Sequence, residues 1–268
     1  TRPRDYHDLR AQLRGTLPDQ LEHFFFVNTD IGAPECADWL ARALADRGHG
    51  VLILRCGVPR TFIDCNRVAA GAVPGVMVDG LTPAVASYIS DPADQQLLAD
   101  LHVRYHQLVA RAYERVCGRG GLALQLHTYA PRSVGIDAID ANIVRALHRV
   151  YEPELYATWP ERPQVDLISA GPDGRVLAHT GMIAALHAHY PELGVEVRDN
   201  ATYRLHPATM GYHYAARYPA QVLCVEMRRD LLADPFVPFG ESPISPAKVA
   251  RMTTPLLTAI TAALPTAL

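Results

Sequence analysis

The stretch from Leu122 to Tyr129 constrains the fold most, because it is an apolar run that carries a histidine near its end. Its three leucines alternate with Ala123, Gln125 and His127, so the two sets point to opposite sides of a strand. Two glycines precede the run and Ala130-Pro131 ends it. The pattern predicts a buried strand that delivers His127 to its carboxyl end, where open α/β sheets bind their ligands. The alternative is a histidine that only caps the strand and bonds to the backbone.

Further apolar runs alternate along the chain with segments of helical periodicity. The runs predict strands at Glu22–Asn28, Gly50–Arg55, Gln164–Ser169, Val195–Arg198 and Gln221–Met227. The helical segments are Asp5–Arg14, Pro34–Arg47, Pro92–Val116, Ala138–Val150, Val176–His189 and Pro246–Leu264. This alternation predicts an α/β fold with a mostly parallel or mixed central sheet and helices on both faces. No boundary divides the chain, so residues 1–268 are expected to form one domain.

Composition narrows the classes of function and partner. The chain has 268 residues and a net charge of −3, and no basic face is apparent, which argues against nucleic acid or an anionic membrane as a partner. No apolar run approaches the ~20 residues that span a bilayer, and the charged start of the chain predicts no signal peptide. The five cysteines form no C-x-x-C pair, so we expect reduced core cysteines and a cytoplasmic protein.

Polar residues collect at four places that follow or end apolar strands. They are Asp30 with Glu35 and Asp38; Arg60 with Asp64, Asn66 and Arg67; His127; and Glu226. Two carboxylates and one histidine make a plausible zinc site with an open position for water. A further glutamate can act as general base on that water, and arginines can bind a substrate carboxylate through paired hydrogen bonds.

Each of these groups also has a purely structural interpretation. Asp30 and Glu35 suit the start of a helix, as caps or as first-turn acids. Arg67 and Asp64 suit an ordinary ion pair. Glu226 suits a pair with Arg228 or Arg204. The order of all four groups along the chain carries more information than any one of them.

That order resembles the N-formylglutamate amidohydrolase family, which is related to zinc carboxypeptidases and acyl-amino-acid deacylases. The similarity runs from about Glu22 to the C-terminal helix. Its first two motifs are the segment at residues 60–67 (RTFIDCNR) and the strand end Leu126-His127-Thr128. The later motifs are Asp199-Asn200 with Tyr212-His213-Tyr214, and the strand segment Val225-Glu226-Met227-Arg228.

The sequence departs from the family at the first metal motif. The family places Pro-His-x-Gly after its first strand, whereas this chain has Thr29-Asp30-Ile31-Gly32. Aspartate keeps an oxygen ligand for zinc but makes the site more anionic, which favours a harder metal. The second acidic ligand is then Glu35 or Asp38, of which Glu35 lies nearer the strand end.

The resemblance implies a zinc-carboxypeptidase-like (phosphorylase/hydrolase-like) fold and a metal-dependent amidohydrolase. Asp30, Glu35 and His127 would hold zinc, or else manganese or cobalt, and Glu226 would activate the bound water. Arg60, Asn66, Arg67 and His213 would bind a small N-acyl amino acid or a short peptide. Two alternatives remain: a carboxypeptidase-like hydrolase of peptide tails, and a metal-free binding protein that retains the fold.

Overall fold

The computed structural model describes residues 1–68, 81–136 and 138–264. Its helices are α1 (Pro3–Arg10), α2 (Leu21–Asn28), α3 (Ala33–Ala45), α4 (Pro92–Val116), α5 (Ile143–Val150), α6 (Pro153–Tyr156), α7 (Thr180–Glu192), α8 (Met210–Arg217) and α9 (Pro246–Ala263). Its strands are β1 (Ala123–Tyr129), β2 (Val165–Ile168), β3 (Val197–Asp199) and β4 (Val222–Arg228).

The four strands form one mixed sheet in the order β1-β4-β2-β3. β1 and β4 are parallel, β2 and β3 are parallel, and β2 runs antiparallel to β4. The mixed central sheet that the sequence predicted is therefore confirmed. β4 lies between β1 and β2, so its apolar side chains are almost fully buried on both faces, as expected for an internal strand.

Helices cover both faces of this sheet, again as predicted. On one face Leu167, Leu223 and Val225 join a core with α3, α7 and α9. On the other face Ile168 and Cys224 pack with residues of α4 and α8. A separate cluster, built around Phe25 and Phe62, joins α1, α2 and α5 beside the sheet. Within the described residues, no helix is both long and apolar enough to cross a membrane.

Two predicted strands are wrong. Residues 22–28 form helix α2, in which Phe24 and Phe25 are buried against Tyr6 and Phe62. A short apolar run cannot by itself distinguish a strand from a buried helix, and here packing of the phenylalanines selects the helix. Residues 50–55 have no regular secondary structure, and their large apolar side chains are exposed.

The other elements differ from prediction mainly at their ends. α4 begins and ends where predicted, because Asp91 accepts hydrogen bonds from the Ala93 and Asp94 amides and Pro92 occupies the first position. α5 begins at Ile143 and α7 at Thr180, each a few residues later than the periodicity suggested. The stretch at residues 68–90 is rich in glycine, proline and alanine, which predicts an irregular segment. Residues 69–80 of this stretch lie outside the described part of the chain.

Candidate active site

A cavity of about 400 Å³ opens at the carboxyl ends of β1 and β4. His127 of β1 and Glu226 of β4 are register partners, and both line the cavity. Asp166 of β2 lies opposite Glu226 on the other side of β4, where it is fully buried. Asp166 accepts hydrogen bonds from the Ala201 and Thr202 amides, so it holds a loop and does not face the cavity as a free acid.

Asp30 reaches His127 from the turn after α2. The Asp30 Oδ2 atom lies 3.5 Å from His127 Nδ1, and Asp30 Oδ1 accepts a 3.1 Å hydrogen bond from the Thr128 amide. The Thr128 hydroxyl donates to the Ile31 carbonyl at 2.9 Å, which ties the turn to the strand a second time. These contacts place the Asp30 carboxylate beside the imidazole even though the two residues are far apart in sequence.

Electrostatics make Asp30 and His127 an ion pair. Burial alone would lower the pKa of His127, but the Asp30 carboxylate outweighs it and raises that pKa to about 9. Burial would likewise raise the pKa of Asp30, yet His127 and Arg60 hold it well below its usual range. His127 is therefore a cation at neutral pH in this environment.

Glu226 has one buried carboxylate oxygen without a hydrogen-bonding partner among the described residues. Its Oε2 atom is inaccessible and accepts no hydrogen bond from any described residue. Burial raises the pKa of Glu226 to about 7; His127 opposes this rise and Asp30 adds to it. The expected structural pair with Arg228 is wrong, because Arg228 binds Asp230 and Glu161. A pair with Arg204 is also absent among the described residues.

The segment at residues 60–67 contributes an interlocked cluster of charges. Asp64 accepts Arg60 Nε at 3.2 Å and Arg67 Nη1 at 3.1 Å. Arg67 also donates to the backbone and hydroxyl oxygens of Thr82, so its guanidinium is fully engaged. Arg60 lines the cavity, and among the described residues its guanidinium has an ion-pair partner only at Nε. The ion-pair interpretation thus holds for Arg67, while Arg60 retains donors for a ligand.

Asn66 presents an unused polar group to the same cavity. Its amide N–H bonds Asp64 Oδ1 at 2.9 Å, and its carbonyl accepts the Met210 amide at 2.9 Å. Its side-chain Oδ1 is buried and has no partner among the described residues. A buried amide oxygen without a partner costs free energy, so Asn66 is suited to hydrogen bonding with a ligand.

Sequence reasoning missed most of the positive charge of the cavity. Six arginines line it, whereas three carboxylates do. The four that were not predicted as site residues are Arg132, Arg162, Arg204 and Arg229. Arg204 has no hydrogen bond or ion pair with another described residue. Arg132 and Arg229 come shortly after β1 and β4, whereas Arg162 precedes β2 and Arg204 lies in the loop after β3. The rule that found His127 and Glu226 looked for polar side chains within the strand ends, so it selected none of these arginines.

Two predicted site residues lie outside the cavity. Glu35 sits in the first turn of α3, where a carboxylate favours the helix dipole, and it does not line the cavity. His213 is exposed on α8, because Met210 and Tyr214 occupy the buried side of that helix. Asp38, the alternative acidic ligand, is exposed and lines a different cavity.

The predicted zinc ligands therefore do not converge. Asp30 and His127 are in contact, but within the described ranges no three His, Cys, Asp or Glu side chains are arranged to hold a metal ion. The donors of the described residues do not fit the three-ligand site that the resemblance implied. Dependence on zinc, manganese or cobalt stays a prediction.

Of two similar solved structures, the one with the higher TM-score supports this fold. The structure of N-formylglutamate amidohydrolase from Ralstonia eutropha is 20% identical, with a TM-score of 0.58, over 94% of this chain and 90% of that one. A gene product from Agrobacterium tumefaciens is 15% identical, with a TM-score of 0.49, over 88% of this chain and 78% of that one. No curated protein matches the sequence.

A sequence model described as N-formylglutamate amidohydrolase matches residues 14–233, which cover most of the chain and every residue of the cavity described above. The chain belongs to the N-formylglutamate amidohydrolase family.

Proposed function

We propose that this protein hydrolyses the amide bond of an N-acylated amino acid that carries a free carboxylate. The observation that carries the proposal is Glu226, a buried carboxylate with an unpartnered oxygen inside an arginine-lined cavity. Burial of an unpartnered acid costs on the order of several kcal/mol of folding free energy. Such a group is therefore expected mainly at a functional site. Membership of an amidohydrolase family supports amide hydrolysis as the function of this site.

Glu226 would act as the general base. A water molecule held by Glu226 loses a proton to the carboxylate as its oxygen attacks the carbonyl carbon of the amide. The C–N bond then breaks, and the proton held by Glu226 passes to the leaving nitrogen. The products are a carboxylic acid and an amino acid with a free amino group, so the atoms of one water are fully accounted for.

The Asp30–His127 pair would stabilise the charge that develops during attack. A cationic imidazole in a cavity with little water is an effective hydrogen-bond donor to the oxyanion of the tetrahedral intermediate. Asp30 fixes the ring through Nδ1, which leaves Nε2–H free to donate. His127 and Glu226 are register neighbours, so donor and base would flank the same carbonyl group.

The carboxylate of the substrate would bind where positive charge exceeds negative charge. Arg60 and Arg204 line the cavity and offer unused guanidinium donors, which suit paired hydrogen bonds to a carboxylate. Asn66 would bind the amide of the substrate. Arg67 would hold Asp64, and through it Arg60, in position.

Replacing the base tests this proposal directly. We expect E226Q to lower kcat by roughly 10²–10⁴, because glutamine keeps the shape of glutamate but cannot accept the proton. The assay is a screen of N-formyl and N-acetyl amino acids, with and without added zinc, manganese and cobalt.

E114Q is the matched control, since Glu114 is exposed on α4. An unchanged kcat in E226Q would overturn the base assignment. Binding of N-acyl amino acids without turnover by the wild-type protein would favour a binding function instead.

A further inference from the structure

A second cavity, of about 640 Å³, runs along β1 and meets the proposed active site. Its walls include residues 121–127, the irregular segment 49–56, and parts of α3 and α4. It shares Asp30, Gln125 and His127 with the first cavity. We call it the edge groove. Anything bound along it would end beside the Asp30–His127 pair.

On the side of the groove, the backbone of β1 at Leu124 and Leu126 has no hydrogen-bonding partner among the described residues. The Ala123 amide donates to the Gln221 carbonyl at 2.8 Å, so Ala123, Gln125 and His127 direct their backbone groups to β4. Leu124, Leu126 and Thr128 then direct theirs the other way. The Thr128 amide confirms this direction, since it bonds Asp30. No described residue pairs with the N–H and C=O groups of Leu124 and Leu126.

The backbone of the opposite wall, residues 50–55, also has no partner within the described part of the chain. Residues 50–55 make no backbone hydrogen bond with another described residue. Val51 and Ile53 line the groove while 43% and 47% of their surface is exposed, so apolar area faces an open channel. Two walls with free backbone groups and apolar side chains have the features of a site that binds an extended chain.

We propose that the edge groove binds an extended peptide, whose C-terminal carboxylate enters the arginine-lined cavity. This inference rests on the proposed hydrolysis and names its substrate class, because the acyl part of the substrate would be a peptide. The peptide would run parallel to β1, as an added strand, with its C-terminal amide bond beside His127 and Glu226. Hydrolysis would release the last amino acid with a free amino group and leave a new carboxylate on the peptide.

Charge and hydrogen bonding favour a peptide over a fatty acyl chain. A fatty acyl chain would satisfy the apolar walls but would leave the backbone groups of Leu124 and Leu126 unpaired. A peptide strand satisfies both, and its single negative terminus matches the excess of arginines at the inner end of the groove. The stretch from Gly121 to His127 is long enough for about six extended residues at ~3.3 Å each.

A length series of substrates tests the proposal. We compare kcat/KM for N-acetylated leucine-rich peptides of one to eight residues that end in the same amino acid. We expect kcat/KM to rise by about tenfold or more as the peptide lengthens to roughly six residues, because buried apolar side chains and backbone hydrogen bonds add affinity. The matched C-terminal amides should lose most of this activity.

Two further measurements make the test specific. N-methylation removes single peptide donors, so methylation of alternate residues should weaken binding of the peptide to E226Q, whereas methylation of the residues between them should not. I53D places a charge in the groove and should reduce kcat/KM for the six-residue peptide about tenfold, with the one-residue substrate unaffected. L108D is the control, because Leu108 is an exposed apolar residue of α4 that does not line the groove.

The outcomes separate this inference from the proposed function. Equal kcat/KM for one and six residues, or a flat N-methyl scan, would overturn the peptide groove and leave amide hydrolysis standing. N-fatty-acyl amino acids that match the best peptide would assign the groove to lipid chains. A further outcome is that none of these compounds is hydrolysed, while E226Q still binds the peptide and N-methylation weakens that binding only at alternate residues. That result would overturn the proposed hydrolysis and support the peptide groove.

Discussion

At the scale of single residues, position on a strand predicted that His127 and Glu226 reach the same end of the sheet. His127 and Glu226 were both identified because a polar side chain interrupts an apolar strand, and the structure places them side by side at one cavity. Glu35 was chosen by its distance along the chain, and helix α3 carries it away from the cavity. Side-chain alternation predicts facing direction well, whereas sequence proximity across a turn does not.

The pH dependence of the reaction follows from Glu226. Burial raises the pKa of this acid to about 7, and only its ionised form can take a proton from water. We expect kcat/KM to fall about tenfold for each unit of pH below about 7 and to reach a plateau between about 7 and about 9, above which the His127 cation loses its proton. A pH–rate profile checks this prediction, measured with a substrate that is stable over the whole pH range. A profile that is flat between pH 5 and 8 would contradict the role of Glu226 as base.

The Asp30–His127 pair gives a prediction that does not depend on activity. Replacing Asp30 by asparagine removes the negative charge, so the pKa of His127 should fall from about 9 to near or below its ordinary value. An NMR titration of the His127 ring measures this change. D199N is the control, because Asp199 pairs with His187 elsewhere on the surface.

The Asp30–His127 pair also makes the stability of the fold depend on pH. The raised pKa of His127 stabilises the fold fully below the ordinary histidine pKa of about 6.5, and that stabilisation is lost as pH rises through 9. The lowered pKa of Asp30 stabilises the fold above about 4 and fails in acid. The difference in unfolding free energy between wild type and D30N should therefore be largest between pH 4 and 6.5. An equal difference at pH 10 would contradict the ion pair.

At the scale of elements, strong local signals were read correctly and short apolar runs were not. α4 carries a capping aspartate, a proline at its first position and a long apolar stripe, and its bounds match the prediction. The run at residues 22–28 has no comparable local signal. Its state is decided by distant partners, namely Tyr6 and Phe62, which the sequence pattern does not reveal. The exposed residues 50–55 were read as a strand because apolar residues usually indicate burial.

The turn between α2 and α3 depends on a glycine. Gly32 has a φ of +84°, and a Cβ atom added there would lie 2.7 Å from Leu232 Cδ1. We expect G32A to lower the free energy of unfolding by about 2–4 kcal/mol, from backbone strain and a packing clash together. G48A is the matched control, since Gly48 has a φ of +83° but open space around it, and should cost only about 1 kcal/mol. Equal losses in denaturant melts would mean that contact with Leu232 is unimportant.

At the scale of the whole molecule, the alternation of strands and helices predicted the mixed sheet with helices on both faces, and this is what the chain forms. The family resemblance rested on the order of motifs, and the match over residues 14–233 agrees with it. The electrostatic character of the cavity could not be predicted in the same way. It arises from arginines on separate segments that only the tertiary fold brings together.

The central position of β4 has a consequence for the order of events during synthesis. β1 bonds only to β4 among the described strands, and β4 follows it by about 90 residues. Because synthesis proceeds at roughly 5–20 residues per second, β4 is made roughly 5–20 seconds after the apolar β1. A nascent chain that lacks residues 222–228 has neither this pairing nor Glu226. Until β4 has been made, the chain therefore lacks both the strand that pairs with β1 and the residue proposed as the general base.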